Sequence, residues 1–256
     1  MALLDVSNLS KTYIRRRGLL RKEKVQALAP LSFSLDSGQT LAIVGETGSG
    51  KTTIAKLLVG AETPTTGQVM MNNAPLALHS NKACRNIRMI FQDPSTSLNP
   101  RVTIGRQLEE PLKLNTDLDA QERHSLVEKT LIRTGLLAEH ADYYPHMISG
   151  GQKQRVALAR ALVLNPKIVV FDEALAALDV SLRGQILNFL LAEQRRQHLA
   201  YVFVSHNMGI VRHISDYVLV MHQGEVVERG STAEVFQSPQ HDITKRMLMA
   251  QNLLPS

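Results

Sequence analysis

The chain is poor in cysteine and in aromatic residues. Of its 256 residues only Cys84 is a cysteine, none is tryptophan and 4% are aromatic. A single cysteine excludes an internal disulfide, and it also excludes a cysteine-ligated iron–sulfur cluster, which takes several thiolates. Scarce aromatic side chains also weaken the case for stacking on nucleic-acid bases.

Long hydrophobic runs are missing as well. No segment approaches the roughly 18–20 consecutive apolar residues that a membrane-spanning helix needs. The first residues, "MALLDVSNLSKTY", place an acid where a signal peptide would continue its apolar run, and they contain no basic lead-in. The hydrophobic content of 44% is typical of a soluble globular protein, so we expect a cytosolic chain.

Positive charge is moderate and is concentrated in one segment. The net charge is +6, and basic residues bunch in "RRRGLLRKEK", residues 15 to 24. Such a run can contact nucleic acid or an anionic membrane, or it can be a solvated hairpin loop. Because no aromatic residue interleaves with it, we favour the hairpin loop and expect no nucleic-acid partner.

The hydrophobic pattern predicts strands and helices that alternate around a parallel sheet. The first forty residues are predicted to form β-strands, broken at Pro30 and at the turn of residues 36–38. "TLAIVG" is a short apolar strand, and the apolar spacing of "KTTIAKLLVGAE" after it predicts a helix that stops near Gly60.

Residues 103 to 147 show a helical pattern instead, over "IGRQLEEPLKL", "AQERHSLVEKTLIRTGLL" and "AEHADYYPHM". The core pattern then resumes with a helix over 149–164, the strands "IVVF" and "AYVFVS" with a helix between them, and a last strand near "YVLVMHQGEVVERG". We therefore expect one α/β domain over residues 1–256. A helical subdomain is inserted at about 93–154, and a short tail occupies 232–256.

The stretch "GETGSGKT", residues 45–52, matches a phosphate-binding loop. The glycines Gly45, Gly48 and Gly50 let backbone N–H groups face phosphate oxygens, and the following helix offers its positive end. Lys51 is expected to reach the β- and γ-phosphates, and the Thr52 hydroxyl to ligate Mg²⁺. The other residues predicted to bind the nucleotide are Glu46, Thr47, Ser49 and Thr53.

Two adjacent acids, Asp172 and Glu173, end the apolar run "IVVFDE". Alone they could form a solvated turn. Together with a phosphate loop, Asp172 is placed to hold Mg²⁺, and Glu173 is placed to polarise a water for attack on the γ-phosphate.

A second glycine-rich turn, "SGGQ" at residues 149–152, precedes the periodic "RVALARAL". Ser149 and Gln152 have the spacing of a capping box. A cap alone does not need Gly150 and Gly151, each of which costs roughly 1 kcal/mol within a helix. Their missing side chains suit the approach of a bulky anion.

The order of these motifs resembles the ATPase subunits of ABC transporters across nearly the whole chain. It runs from the phosphate loop through "FQDPSTSLNP", "YYPHMISGGQKQRVALARAL" and "VVFDEALAALD" to "VFVSH". The residues around these motifs are most similar to those of the peptide-importer branch, which includes the oligopeptide, dipeptide and Sap-type systems. This resemblance implies a P-loop NTPase with a RecA-like parallel-sheet core, an N-terminal antiparallel β subdomain and an inserted α-helical signature subdomain.

The resemblance also implies roles for individual residues. Tyr13 would stack on adenine, although a half-buried strand tyrosine is the alternative. Gln92 would touch Mg²⁺ and the attacking water and would link to the membrane partner. His206 would sense the γ-phosphate, and Asp179 would belong to an inter-subunit loop. The turn Ser149, Gly150, Gly151 and Gln152 would contact the γ-phosphate held by the opposite subunit.

Three positions depart from the family pattern. Ala176 stands where serine is usual, Asn207 where aspartate is usual, and Ile148 where leucine or phenylalanine is common. None of these changes removes a catalytic group, so hydrolysis of ATP is still expected.

The sequence therefore predicts an ATP- and Mg²⁺-dependent subunit that energises a peptide-type transporter at the cytoplasmic face of the inner membrane. Its expected partners are a second ABC ATPase subunit, two membrane-spanning permease subunits and an extracytoplasmic substrate-binding protein. One alternative is a non-transport ABC ATPase acting on DNA or ribosomes, although those usually carry a second ATPase module or a coiled-coil insertion. The other is a P-loop kinase, which explains neither the signature turn nor His206.

Overall fold

A computed structural model describes residues 2–17, 21–78, 80–91, 97–176 and 178–253. The strands are β1 (Leu4–Arg17), β2 (Arg21–Leu35), β3 (Thr40–Gly45), β4 (Thr66–Met71), β5 (Ala74–Pro75), β6 (Ile87–Ile90), β7 (Ile168–Asp172), β8 (Ala200–Ser205), β9 (Tyr217–His222) and β10 (Glu225–Ser231). The helices are α1 (Lys51–Leu58), α2 (Asn81–Asn86), α3 (Ile104–Asn115), α4 (Ala120–Arg133), α5 (Gly150–Leu162), α6 (Val180–Gln197), α7 (Met208–Ile214), α8 (Thr232–Gln237) and α9 (Asp242–Met249). In these ranges, no helix has both the length and the apolar character needed to cross a bilayer.

The larger sheet has the strand order β10-β9-β3-β8-β7-β6, and all its pairings except β10 with β9 are parallel. Every residue of β3, β7 and β8 is buried, as expected for strands covered on both faces. Parallel strands end at the same edge of a sheet. The segments after β3, β7 and β8, which carry the predicted phosphate loop, acid pair and histidine, therefore start side by side.

A second sheet, with the order β2-β1-β4-β5, is antiparallel. Sequence reasoning placed a break at Pro30, but β2 continues through it because β2 is an edge strand and needs no N–H there. The hairpin of β1 and β2 is paired as far as Arg17 opposite Arg21. The middle of the basic run, residues 18–20, lies outside the described residues.

Helices α3, α4 and α5 share an apolar cluster that includes Leu108, Leu131 and Val156. The predicted helix "AEHADYYPHM" is instead two 3-10 turns, Ala138–Asp142 and Pro145–Met147. The backbone at Tyr144 is extended because the following proline disfavours helical geometry there.

The last predicted strand is in fact the two strands β9 and β10. They are joined by a tight turn at Gln223 and Gly224, whose φ values are 47° and 84°. The sequence pattern missed this turn because apolar residues continue on both sides of it. The bounds of a helical subdomain and a C-terminal tail stay predictions.

Candidate functional site

The phosphate-loop sequence forms a tight turn between β3 and α1. Gly45, Gly48 and Gly50 have φ values of 153°, 83° and 101°. A Cβ on Gly45 would lie 2.3 Å from the Met221 carbonyl oxygen, and one on Gly50 would lie 2.7 Å from that of Ala27. Glycine is required at both positions, because backbone atoms cannot move aside.

Lys51 lies over this turn at the start of α1. Its Nζ donates to the carbonyl oxygens of Gly45 and Glu46, each at 2.8 Å. Burial lowers the pKa of the Lys51 ammonium, while the nearby Glu173 and Asp172 oppose that effect. The folded protein thus holds a partly desolvated cation at a glycine turn and a helix N-terminus, an arrangement that suits phosphate oxygens.

Asp172 and Thr52 meet across the site. Thr52 Oγ1 donates to Asp172 Oδ1 at 3.1 Å, and burial raises the pKa of the Asp172 carboxyl although that bond opposes the shift. In the described part of the chain, no three metal-ligating side chains cluster. A hydroxyl beside one carboxylate still fits Mg²⁺, which keeps several waters and takes oxygens from substrate phosphates.

Glu173 and His206 form a pair next to these residues. His206 Nδ1 lies 3.3 Å from Glu173 Oε1, and the side chains are 58% and 23% exposed. Glu173 has a left-handed backbone (φ 52°), which costs a residue with a Cβ roughly 1 kcal/mol or more. Its N–H donates to the Val204 carbonyl at 3.0 Å, so β8 fixes the turn that aims the carboxylate.

An open cavity of about 480 Å³ lies beside the loop. Its lining includes Thr47, Gly48, Gly50, Lys51, Thr52, Thr53 and Glu173, and also Val25, Gln26, Ala27, Gln223 and Gly224, which sequence reasoning missed. The turn of Gly224 also supports the loop, since its N–H donates to the Ser49 carbonyl at 3.0 Å. A glycine at residue 224 is typical of a tight turn, and it could have predicted that this turn is present.

Tyr13 is not among the residues that line the cavity, but it is paired directly across the hairpin with Val25, which does line it. Directly paired residues of antiparallel strands share a face. One side of the Tyr13 ring is engaged, because Lys11 Nζ lies 4.9 Å from the ring centroid.

The turn at 149–152 forms the predicted capping box. Ser149 Oγ accepts from the Gln152 N–H at 3.3 Å, and Gln152 Oε1 accepts from the Ser149 N–H at 2.8 Å. A Cβ on Gly151 would lie 2.9 Å from Leu182 Cδ2, whereas one on Gly150 would meet nothing within 4 Å. The Leu182 methyl group is the end of a flexible side chain that can move aside, so packing within the chain demands glycine neither at residue 151 nor at residue 150.

This turn and the phosphate loop start different helices. Helix α5 packs against α3, α4 and β6, whereas α1 packs against β2, β3, β7 and β8. Ser149 and Gly150 are exposed. Asp179 caps α6 by accepting from the Leu182 N–H at 2.8 Å, and Gln92 lies outside the described residues.

A phosphate loop between a buried strand and a helix, with an acid at the end of a nearby parallel strand, defines a P-loop nucleoside triphosphatase. The family model for the ABC transporter matches residues 28–176. The chain belongs to the ABC transporter family, and it is an ATP-binding, ATP-hydrolysing subunit of that family.

Solved structures agree with this assignment. The chain resembles cbiO1 from Clostridium perfringens, part of the ABC transporter complex cbiONQ, with a TM-score of 0.78 and 29% identity over 92% of this chain and 90% of that one. It also resembles the ATP-binding cassette MJ0796 in a dimeric post-hydrolysis state bound to ADP and Pi. That TM-score is 0.77, with 27% identity over 90% of this chain and 98% of that one. The predicted fold class is confirmed.

Similar proteins of known name are transporter subunits. The putrescine export system ATP-binding protein SapF of Escherichia coli strain K12 is 54% identical over 96% of this chain and 92% of its own length. The peptide transport system ATP-binding protein SapF of E. coli O6:H1 gives the same values. The dipeptide transport ATP-binding protein DppF of Haemophilus influenzae is 46% identical over 97% of this chain and 77% of its own length.

Proposed function

We propose that this chain energises a peptide-type transporter from the cytoplasmic face of the membrane, as one of two ATPase subunits that sandwich ATP between them. The proposal is supported by two candidate phosphate-binding turns that lie at the starts of two different helices of one chain. The signature turn is exposed at the start of α5, while the phosphate loop lies at the start of α1. Both can serve one nucleotide if they come from different subunits.

Binding of the nucleotide is assigned to the loop after β3. Residues 45–53 surround the phosphates with backbone N–H groups. The Lys51 ammonium exchanges its hydrogen bonds to the loop carbonyls for hydrogen bonds to phosphate oxygens. Thr52 and Asp172 would hold Mg²⁺, and Gln92 is the third proposed ligand. When bound, the metal neutralises charge on the β- and γ-phosphates.

Proton transfer is assigned to Glu173. A carboxylate oxygen of Glu173 accepts the proton of the attacking water, and the 3.3 Å contact with His206 Nδ1 orients the same carboxylate. The exposed His206 can also reach a γ-phosphate. Ser149, Gly150, Gly151 and Gln152 of the opposite chain close the site from the other side, and Asp179 lies at the subunit interface.

Transport follows from the dimer equilibrium. ATP binds across two chains and therefore favours the closed dimer, and hydrolysis removes that preference. The cycle would rock two membrane-spanning permeases, docked near Gln92 and the helices α3 to α5, with an extracytoplasmic binding protein delivering substrate.

Peptide is the proposed substrate class, because several relatives are named for peptide or dipeptide transport. One relative, which is 54% identical to this chain, is named for putrescine export. Substrate choice is assigned to the permeases, because the site assembled after β3, β7 and β8 suits a nucleotide.

The test is co-expression with candidate membrane-spanning proteins from the same genome, followed by purification and reconstitution in vesicles. We expect a stable complex whose ATP hydrolysis rises when peptides are supplied. Stimulation by putrescine but not by peptides would show that putrescine, and not peptide, is the substrate. Failure to bind any membrane partner, with co-purification of ribosomes or DNA, would contradict the transporter role.

Tyr13 is proposed to stack on adenine with the ring face opposite Lys11. We expect Tyr13→Ala to weaken nucleotide binding by about 1 kcal/mol, or roughly fivefold in Kd, and Tyr13→Phe and Tyr13→Trp to have small effects. Fluorescent-nucleotide titration measures all three. Equal losses in all three variants would show that the tyrosine only packs in the hairpin.

A further inference from the structure

We infer that Gln154 is a positioning residue that couples the two nucleotide sites of the dimer. Its side chain joins the signature helix of a chain to the backbone beside the Glu173 of the same chain. The inference rests on the proposed function, in which the signature turn and Glu173 of one chain act on different nucleotides.

Gln154 lies in the second turn of α5 and is 0% exposed. Its Nε2 donates to the carbonyl oxygen of Ala174 at 2.9 Å. Within the residues that the structure describes, its Oε1 accepts no hydrogen bond. A buried and half-satisfied amide disfavours folding relative to an apolar side chain of the same size. Packing alone therefore does not account for a glutamine here, whereas the bond to Ala174 does.

The Ala174 carbonyl belongs to the peptide group between Ala174 and Leu175, one residue beyond Glu173. Two other bonds restrain the same turn: the Glu173 N–H donates to Val204, and the Glu173 carbonyl accepts from the Ala176 N–H at 3.1 Å. Gln154 supplies a third restraint, which comes from helix α5. Because Glu173 is held in a left-handed conformation, its carboxylate depends on such restraints for its direction.

The start of α5 also contacts the start of α6. Gly151 packs against Leu182, and the Leu182 N–H is the donor that Asp179 caps. Arg155 Nη2 donates to Gln185 Oε1 at 3.1 Å. A shift of the signature turn against a partner's nucleotide would therefore move the inter-subunit loop, and through Gln154 it would move the peptide beside Glu173.

The test uses mixed dimers of two differently tagged chains that retain one composite site. One chain carries Lys51→Ala and supplies the signature turn. The other carries Ser149→Arg and supplies the phosphate loop and Glu173. Gln154→Met keeps the side-chain size but removes both polar groups, and it is placed in either chain in turn.

We expect turnover at saturating ATP to fall about 10- to 100-fold in both placements, the scale of a small misplacement of a reacting group. When the change lies in the chain that supplies Glu173, nucleotide affinity should change by less than about twofold, because the phosphate loop is untouched. A merely structural role would not separate turnover from affinity in this way.

Gln194→Met is the matched control. Gln194 also donates one side-chain hydrogen bond, to Thr40 Oγ1 at 2.9 Å, but at the end of β3 remote from the phosphate loop. It should leave turnover unchanged in both placements. Thermal melting checks that each variant is folded, and Gln154→Leu replaces Gln154→Met if the latter does not fold.

A loss confined to the chain that supplies the signature turn overturns the inference, because Gln154 would then support only its own helix. Unchanged turnover in both placements overturns it as well. An inactive mixed dimer with Gln154 intact in both chains contradicts the composite site itself, and so separates failure of the proposed function from failure of this inference.

Discussion

Glu173→Gln lowers ATP turnover by about 10²- to 10⁴-fold, the usual contribution of a positioned general base, and leaves ATP binding intact. The amide has the size of the carboxylate but cannot accept the proton of the attacking water. Lys51, Thr52 and the glycine turn are unchanged, so nucleotide still binds. An ATP-bound dimer should accumulate, because hydrolysis no longer reopens the closed dimer.

Single-turnover hydrolysis, equilibrium nucleotide binding and size-exclusion chromatography with ATP measure these three effects. Glu225→Gln, an equivalent change at an exposed position on β10, should alter none of them. Near-normal turnover in Glu173→Gln would show that another group activates the water.

Much of the site could be predicted because its residues follow short apolar runs. "TLAIVG", "IVVFD" and "AYVFVS" are continuous hydrophobic segments, and β3, β7 and β8 are buried along their whole length. A continuous apolar run fits a parallel strand covered on both faces. Its carboxyl end is where an α/β sheet presents its ligand-binding groups.

Contacts between residues that are far apart in the sequence could not be predicted. The Gly224 N–H donates to the Ser49 carbonyl and so supports the phosphate loop from more than 170 positions later in the chain. No local sequence pattern predicts that these two segments meet. Gln154 gave no signal in the sequence, because its spacing in α5 does not reveal that it faces the end of β7.

The turn at residues 149–152 can be a helix cap and still be open to an anion. The capping box is present, and a Cβ on Gly151 would crowd a Leu182 methyl group that can move aside. Neither glycine is demanded by packing within the chain, so both glycines and the exposure of the turn suit the approach of an anion. The role of the turn in an opposing site stays a prediction.

Mixing a Lys51→Ala chain with a Ser149→Arg chain restores ATP hydrolysis that neither chain has alone. Lys51→Ala removes the cation of the phosphate loop but keeps the signature turn, whereas Ser149→Arg blocks the turn but keeps the loop. Each homodimer has two defective sites. A mixed dimer has one site with both defects and one built from two intact halves, so activity rises from near zero to about one live site for each mixed dimer.

The reason is geometric and electrostatic. The start of α5 carries roughly half a positive charge from the helix dipole, and Ser149 and Gly150 at that start are exposed. In the proposed dimer, a γ-phosphate held by the opposite chain would lie against this helix start. A chain that carries both changes, mixed with unaltered chain, is the control, because such a mixed dimer contains no intact composite site.

The most direct test of the sandwiched nucleotide is therefore the ATPase activity of these mixtures, measured after dimer formation with ATP has been shown for each chain. The account predicts recovery in the mixture of single variants and no activity in doubly tagged dimers of the double variant with unaltered chain. No recovery in the first mixture, with full activity per unaltered chain in the second, would show that the turn acts within its own chain and would contradict the account.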